Sequence, residues 1–315
     1  LLDEEIKVKG DWSVKRPDLD PAGWAFEFAN DGYPDTDDTA EVIIALRRAS
    51  RAGVAGDEQA PAVDKTRYEL LRGAIDRGTV WMTGMQSKDG GWGAFDADNT
   101  RALITKLPFC DFGAVIDPPS ADVTAHIVEA LALEDKAHSA EARRGIRWLL
   151  EHQEQDGSWF GRWGANHVYG TGAAVPALVE AGVARDHPAV RRAAAWLIAH
   201  QNPDGGWGED LRSYTDKSWI GRGESTASQT AWAMLALLAA QEEGAHARAE
   251  AVRAAADRGA AYLAQTQRAD GTWDEEPFTG TGFPGDFYIN YHLYRLVFPL
   301  TALGRYLADR LVEAT

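Results

Sequence analysis

Three carboxylates fall within four residues in the stretch YPDTDDTAE: Asp35, Asp37 and Asp38, directly ahead of an apolar-periodic run. Like charges so close oppose one another's ionisation, so at least one of the three is expected to hold its proton more tightly than a free aspartate. Two readings are open. Asp38-Thr39-Ala40-Glu41 fits a capping box, with Asp38 as N-cap and Glu41 three residues on; this leaves Asp35 and Asp37 unexplained. Alternatively, crowded acids in a largely apolar cavity hold a proton at neutral pH and serve as its source. A second group, Asp117 and Asp122, precedes an apolar helix that carries His126. That histidine is either a satisfied core side chain or a cation that binds one face of an aspartate and sharpens the acidity of the other. The third feature is an excess of aromatics at apparent loop ends: Phe26, Phe95, Trp163, Tyr169, Trp219, Phe283, Phe287, Tyr291 and Tyr294. Any one of them is an ordinary core residue. As a set around an acid, their faces would stabilise a cation by ~2 kcal/mol or more each when desolvated. Acid plus aromatic box is what carbocation chemistry requires.

The elements that must hold these residues show a repeat. Arg77-Gly78, Trp81-Met82, Gln86, Gly90 and Trp92 form a frame that returns at Arg144, Gly145, Trp148, Leu149, Gln153, Gly157 and Trp159. It returns again at Arg192, Ala193, Trp196, Leu197, Gln201, Gly205 and Trp207, and at Arg258, Gly259, Tyr262, Leu263, Gln267, Gly271 and Trp273. The final tryptophans are 67, 48 and 66 residues apart, so the frame is strict and the inserts vary, as in a repeat architecture. Each frame predicts a helix end, with the Gln amide reaching backbone groups of a neighbour, a Gly-containing stop, and a Trp over the joint. Between the frames lie more apolar segments, roughly 38–50, 120–133, 171–183, 225–240 and 289–308. The pattern predicts an all-α chain of four outer and about five inner helices, alternating as in an α/α barrel. An even barrel would need more helices than this. Glycine-rich runs such as GTGFPGDFY fit long connections.

Composition limits the class of function. The 315 residues are 45% hydrophobic and carry a net charge of −16, which is globular and argues against a nucleic-acid partner. A single cysteine, Cys110, cannot close an internal disulfide, which fits a reducing compartment. No run reaches the ~18 apolar residues of a spanning helix. The first residues, LLDEEIKVKGDW, contain neither a start methionine nor a signal pattern, and the chain is expected to be a piece of a longer one.

GWAFEFANDGYPDTDDTA resembles the acid motif of the class II terpene cyclases, specifically the bacterial squalene–hopene cyclases, and the four frames resemble that family's QW repeats. GGWGAFDADNT, PFCDFGAVIDPPSADVTAH, GSWFGRWGANHVYGTG, NPDGGWGEDLRSY and TGTGFPGDFYINYHLYRLVFP continue the likeness in order over essentially the whole chain. The resemblance implies that residues 1–315 are a C-terminal catalytic α/α-barrel domain whose N-terminal second barrel is absent. It implies that Asp37 protonates a terminal alkene, that His126 raises its acidity, and that Tyr169 lies nearby through water. Asp35 and Asp38, with Asp122, would help to hold the proton. Phe26, Phe95, Trp163, Phe283, Phe287, Ile289, Tyr291 and Tyr294 would line the cavity or face the successive cations, and Phe109 and Cys110 would form the constriction of an apolar channel from the membrane. The implied reaction is the redox-neutral polycyclisation of squalene to hopene or hopanol, with no metal and no cofactor. A cytoplasmic, peripherally membrane-bound homodimer is implied for the full-length enzyme. Because other cavity walls belong to the missing half, the isolated chain is expected to be inactive. His167 departs from the family, where an aromatic is frequent, and is expected at the surface or behind the site.

Three other readings stand beside this one. A class II diterpene cyclase making a bicyclic diphosphate also uses an Asp-x-Asp-Asp acid, but needs a basic pocket, and no basic cluster is visible near these motifs. A prenyltransferase-like barrel needs zinc held by Asp, Cys and His, and Cys110 has no histidine at short spacing. A non-catalytic helical scaffold would explain the frames but not the acids beside an aromatic box.

Overall fold

A computed structural model describes residues 1–27, 29, 30, 32–54, 65–101, 116–242, 244 and 246–313. The chain divides into two compact units, Leu1–Leu149 and Leu150–Thr315. In the first unit α1 spans Thr36–Val54, α2 Lys65–Gly84, α3 Ala121–Leu133 and α4 Ala140–Glu151. In the second, α5 spans His167–Glu180, α6 Pro188–Ala199, α7 Ala227–Ala239, α8 Ala247–Thr266 and α9 Tyr294–Glu313. Even-numbered helices carry the frames and odd-numbered ones are the apolar set. Packing separates them as expected: α1 lies on α3, and α7 lies between α5 and α9. The helix α7 is buried around nearly its whole circumference, whereas α4 buries only Ala142, Gly145, Trp148 and Leu149. The helix α9 departs from the inner pattern, since Val297, Leu300, Leu307 and Leu311 are each more than half exposed.

Each frame interlocks with the next. The Gln86 amide donates to Gly90 O in its own turn (2.8 Å) and to Glu141 O at the head of α4 (3.0 Å). Gln153 repeats this to Gly157 O and Ala189 O, and Gln201 to Gly205 O and Ala255 O. The frame glycine adopts a left-handed φ of +104° at Gly90 and +90° at Gly205, and a Cβ there would lie 3.0 Å from Arg144 O or 2.7 Å from Arg258 O. The closing Trp is fully buried, and its indole donates to the end of its own helix, Trp92 to Met82 O and Trp207 to Leu197 O. Its backbone N–H is held by a threonine in the first turns of an inner helix: Trp92 by Thr124, Trp159 by Thr171 and Trp207 by Thr230, each at 3.0 Å. Trp24 is bound to Thr39 in the same way (2.9 Å) and packs on Gly78 as Trp92 packs on Gly145. It is a fifth closing tryptophan that lacks the Arg and Gln of the frame.

The run expected as a plain connection forms an antiparallel hairpin, β1 (Gly280–Phe283) and β2 (Phe287–Ile289), pairing Gly280 with Ile289 and Thr281 with Tyr288. Gly285 makes the turn at φ +94°. Thr281 N donates to Trp163 O and Ala165 N to Thr279 O, so the hairpin is stitched to the loop ahead of α5.

Candidate active site

The start of α1 is clamped before any side chain is considered. Asp35 N donates to Trp24 O (2.8 Å), and Thr36 donates through its N to Ala94 O and through its hydroxyl to Gly93 O. Asp35, not Asp38, is the cap: its Oδ1 accepts from Asp37 N (2.6 Å) and Asp38 N (3.1 Å). The capping box expected at Asp38–Glu41 is therefore displaced by three residues, and Glu41 is freed from it. With three aspartates in four positions any could cap; the pairing of residue 35 with Trp24 decides which one does. Asp37 and Asp38 then occupy the first turn of α1 with their side chains available.

Asp37 Oδ1 lies 2.6 Å from His126 Nδ1 on α3. The His126 side chain is 14% exposed and that of Asp37 21%. Burial alone would lower the histidine's pKa. The charges of Asp37, Glu41 and Asp122 and the hydrogen bond to Asp37 outweigh this and raise it to about 10, so the ring is an imidazolium at neutral pH. Asp122, fully buried, stands one helical turn ahead of His126 on the same face. Burial pushes Asp38 up to about 7, with Asp37 and Glu41 adding to the shift and His126 opposing it. Burial and the charges of Asp38 and Asp37 hold Asp35 well above the usual carboxylate range, against the pull of its two backbone donors. The expectation of proton-retaining acids thus holds, at Asp35 and Asp38. A hollow of about 160 Å³, lined in part by Trp24, Phe26, Asp38 and Val42, opens beside Asp38. Phe95 is held by Asp117, whose Oδ2 accepts from Phe95 N (2.6 Å) and Asp96 N (2.8 Å). Asp117 is therefore a buried loop anchor.

The second unit assembles the aromatics. Tyr169, on α5, meets Trp232 of α7 at 4.7 Å between ring centroids, and Trp232 meets Tyr294 at 5.6 Å and Phe298 at 5.4 Å. Tyr291 lies 4.8 Å from Tyr294, and Phe283 lies 6.2 Å from Phe287 across the hairpin that also carries Ile289. Trp163 precedes α5 on the strap bound to that hairpin. Trp232 and Phe298 are members of this cluster that the sequence did not single out; their place on the inner helices α7 and α9 was the available signal. Trp219 is not in the cluster, for the Arg212 guanidinium sits 3.3 Å above its ring. Nor is His167 at the surface. It is buried, with Nδ1 3.2 Å from Glu209 Oε1, while Glu209 Oε2 accepts from Val168 N at the start of α5. Phe109 and Cys110 lie outside the described residues.

A basic cluster unseen in the sequence also emerges. Lys15, Arg16, Lys88 and Arg101 line a cavity of about 570 Å³ with Asp98 and Asn99. Arg16 is committed there to the end of α2, donating to Gly84 O, Gln86 O and Asp98 Oδ2. Among the described residues no helix is long and apolar enough to cross a membrane.

Known proteins resemble the chain throughout. The family described as "Squalene-hopene cyclase C-terminal domain" matches residues 1–308. The squalene–hopene cyclase of Alicyclobacillus acidocaldarius is 54% identical over 308 residues, covering 97% of this chain and 45% of that protein. That of Bradyrhizobium diazoefficiens is 48% identical, covering 96% of this chain and 43% of that protein. The chain thus spans less than half the length of these relatives. Among solved structures, the type II terpene cyclase MstE from Scytonema superposes with a TM-score of 0.59 at 20% identity, over 91% of this chain and 77% of that one. The ent-copalyl diphosphate synthase from Streptomyces platensis gives 0.52 at 26% identity, over 85% and 46%. The fold is the α/α-barrel class of these cyclases.

Proposed function

The chain belongs to the squalene–hopene cyclase C-terminal domain family, and on that basis we propose that it is the proton-donating portion of a class II triterpene cyclase acting on squalene or a squalene-like polyprenoid. The observation that carries this reading is the 2.6 Å contact between Asp37 and the His126 imidazolium. The ring N–H donates to one carboxyl oxygen of Asp37, so the proton leaves from the other. That O–H bond breaks as a C–H bond forms at the terminal alkene carbon, and the adjacent carbon becomes a tertiary cation. Successive alkenes attack in turn, and loss of a proton or addition of water ends the reaction at hopene or hopanol. No electrons are exchanged with any partner. Asp35 and Asp38, with Asp122, help to hold the proton at the donor. Phe26 and Phe95 in the first unit, and Tyr169, Trp163, Phe283, Phe287, Ile289, Tyr291 and Tyr294 in the second, supply apolar, ring-rich surface. Preorganised ring faces and exclusion of water provide much of the rate. The remaining wall belongs to an N-terminal barrel, in a peripherally membrane-bound dimer at the cytoplasmic face.

The full-length protein incubated with squalene should yield hopene or hopanol by mass spectrometry, and Asp37→Asn should lower kcat by about 10²–10⁴-fold. Residues 1–315 alone should give no product. The cavity lined by Lys15, Lys88 and Arg101 favours a second reading, a diphosphate substrate. Consumption of geranylgeranyl diphosphate with no turnover of squalene would replace the first reading by the second.

A further inference from the structure

One carboxylate beside His126 has no place in the mechanism above. Glu41 follows Asp37 by four residues, one turn further along α1. Its Oε1 lies 3.6 Å from His126 Nδ1, the same nitrogen that meets Asp37 at 2.6 Å, and its side chain is 54% exposed. The other charged groups on these helices are otherwise placed. Asp35 accepts from two backbone N–H groups. Glu129, a turn beyond His126, is bound by Arg48 at 2.6 Å. Arg47 of α1 and Arg72 of α2 both reach Glu134, past the end of α3. Burial raises the Glu41 carboxyl above its ordinary value while the charges of His126 and Arg48 pull it back down, and at 54% exposure its ionised form keeps part of the hydration that the wholly buried Asp122 forfeits.

Charge counting shows what such a group does. A donor must be protonated before it can give a proton away. A cationic ring beside a single aspartate favours the ionised aspartate, which is a spent donor. A second carboxylate on the ring supplies the negative charge in its place, so that neutral Asp37, cationic His126 and ionised Glu41 sum to zero. When Asp37 loses its proton, the imidazolium is already present to receive the new charge. We propose that Glu41 is the counter-charge of the His126 imidazolium, the group that lets Asp37 stay protonated while the ring beside it stays cationic. This is a positioning role, and it rests on the donor role given to Asp37.

The test is the titration of His126, followed by NMR in full-length protein carrying isotope-labelled histidine, with kcat and KM for squalene measured against pH. Glu41→Gln should lower the His126 midpoint by about one pH unit, Glu41→Asp should restore part of it, and Asp37→Asn should move it independently. Loss of the anion makes the ring lose its proton earlier, so the alkaline limb of the kcat profile should move to lower pH with KM little changed. A His126 midpoint in Glu41→Gln equal to that of the parent overturns the proposal, whatever happens to activity. Because the titration is read without substrate, a protein that fails to cyclise squalene defeats the functional reading and leaves the counter-charge to be judged on the midpoint alone.

Discussion

Around Asp37 the ionisable groups act on one another in opposite senses, and stability should record both. His126 has a folded pKa of about 10 against an ordinary 6.5. Its contribution is fully present below pH 6.5 and is lost as pH rises through 10. Thermal melts should therefore fall over that window in the parent and change less with pH in His126→Gln. Asp38 is raised from 3.8 to about 7. Between those values the folded state binds the extra proton, so stability declines as pH rises through them and the cost persists above 7. Asp38→Asn should raise Tm at pH 8, by roughly 2–4 °C per kcal/mol regained, and leave it little changed at pH 4. Scanning calorimetry of the two variants checks the two windows: each group makes the parent less stable as pH rises, from 3.8 to about 7 for Asp38 and from 6.5 to about 10 for His126.

At the scale of elements, the frames predict a graded response. Gln153 joins its own turn to α6, whereas Gln267 is bound to Gly271 O at 3.0 Å and, among the described residues, to no following helix. Gln153→Ala should cost about 1–3 kcal/mol in denaturant unfolding, and Gln267→Ala less than half as much. Gly205→Ala should be more damaging than Gly271→Ala, since a Cβ at 205 would meet Arg258 O at 2.7 Å and one at 271 meets nothing nearer than 4.0 Å. Thr171→Val, which leaves the buried Trp159 N–H without its acceptor, should cost about 1–3 kcal/mol. The alternation of helices was legible because α3, α5 and α7 are rich in apolar residues and buried on nearly every face, while α4 carries one narrow apolar stripe. The contact of Asp37 with His126 was legible as chemistry, from the family likeness. The hairpin was not legible, because GTGF has no polar alternation for a strand to declare itself. Trp24 escaped notice because no Arg and Gln precede it at the frame's spacing, and only its bond to Thr39, matched by those of Trp92, Trp159 and Trp207, reveals its kinship. The cap at Asp35 depended on Trp24 in turn, so two misses have one cause.

For the molecule as a whole, charge constrains the proposed approach to a membrane. At −16 this chain is repelled by anionic lipid, so an attachment made through it would be apolar. Flotation of the full-length protein with phosphatidylcholine vesicles should be unchanged between ~0.1 and ~1 M NaCl, where electrostatic attraction would be screened out. Release by salt would reverse this expectation.

The clasp between successive frames has an effect on how such a molecule can change over generations. Its bonds join a glutamine to a glycine carbonyl, to the backbone of the following helix and, at Gln153 and Gln201, to that helix's frame arginine, while the inserted lengths that separate one closing tryptophan from the next differ by almost twenty residues. The segments between one closing tryptophan and the next can thus change length without altering the clasp itself.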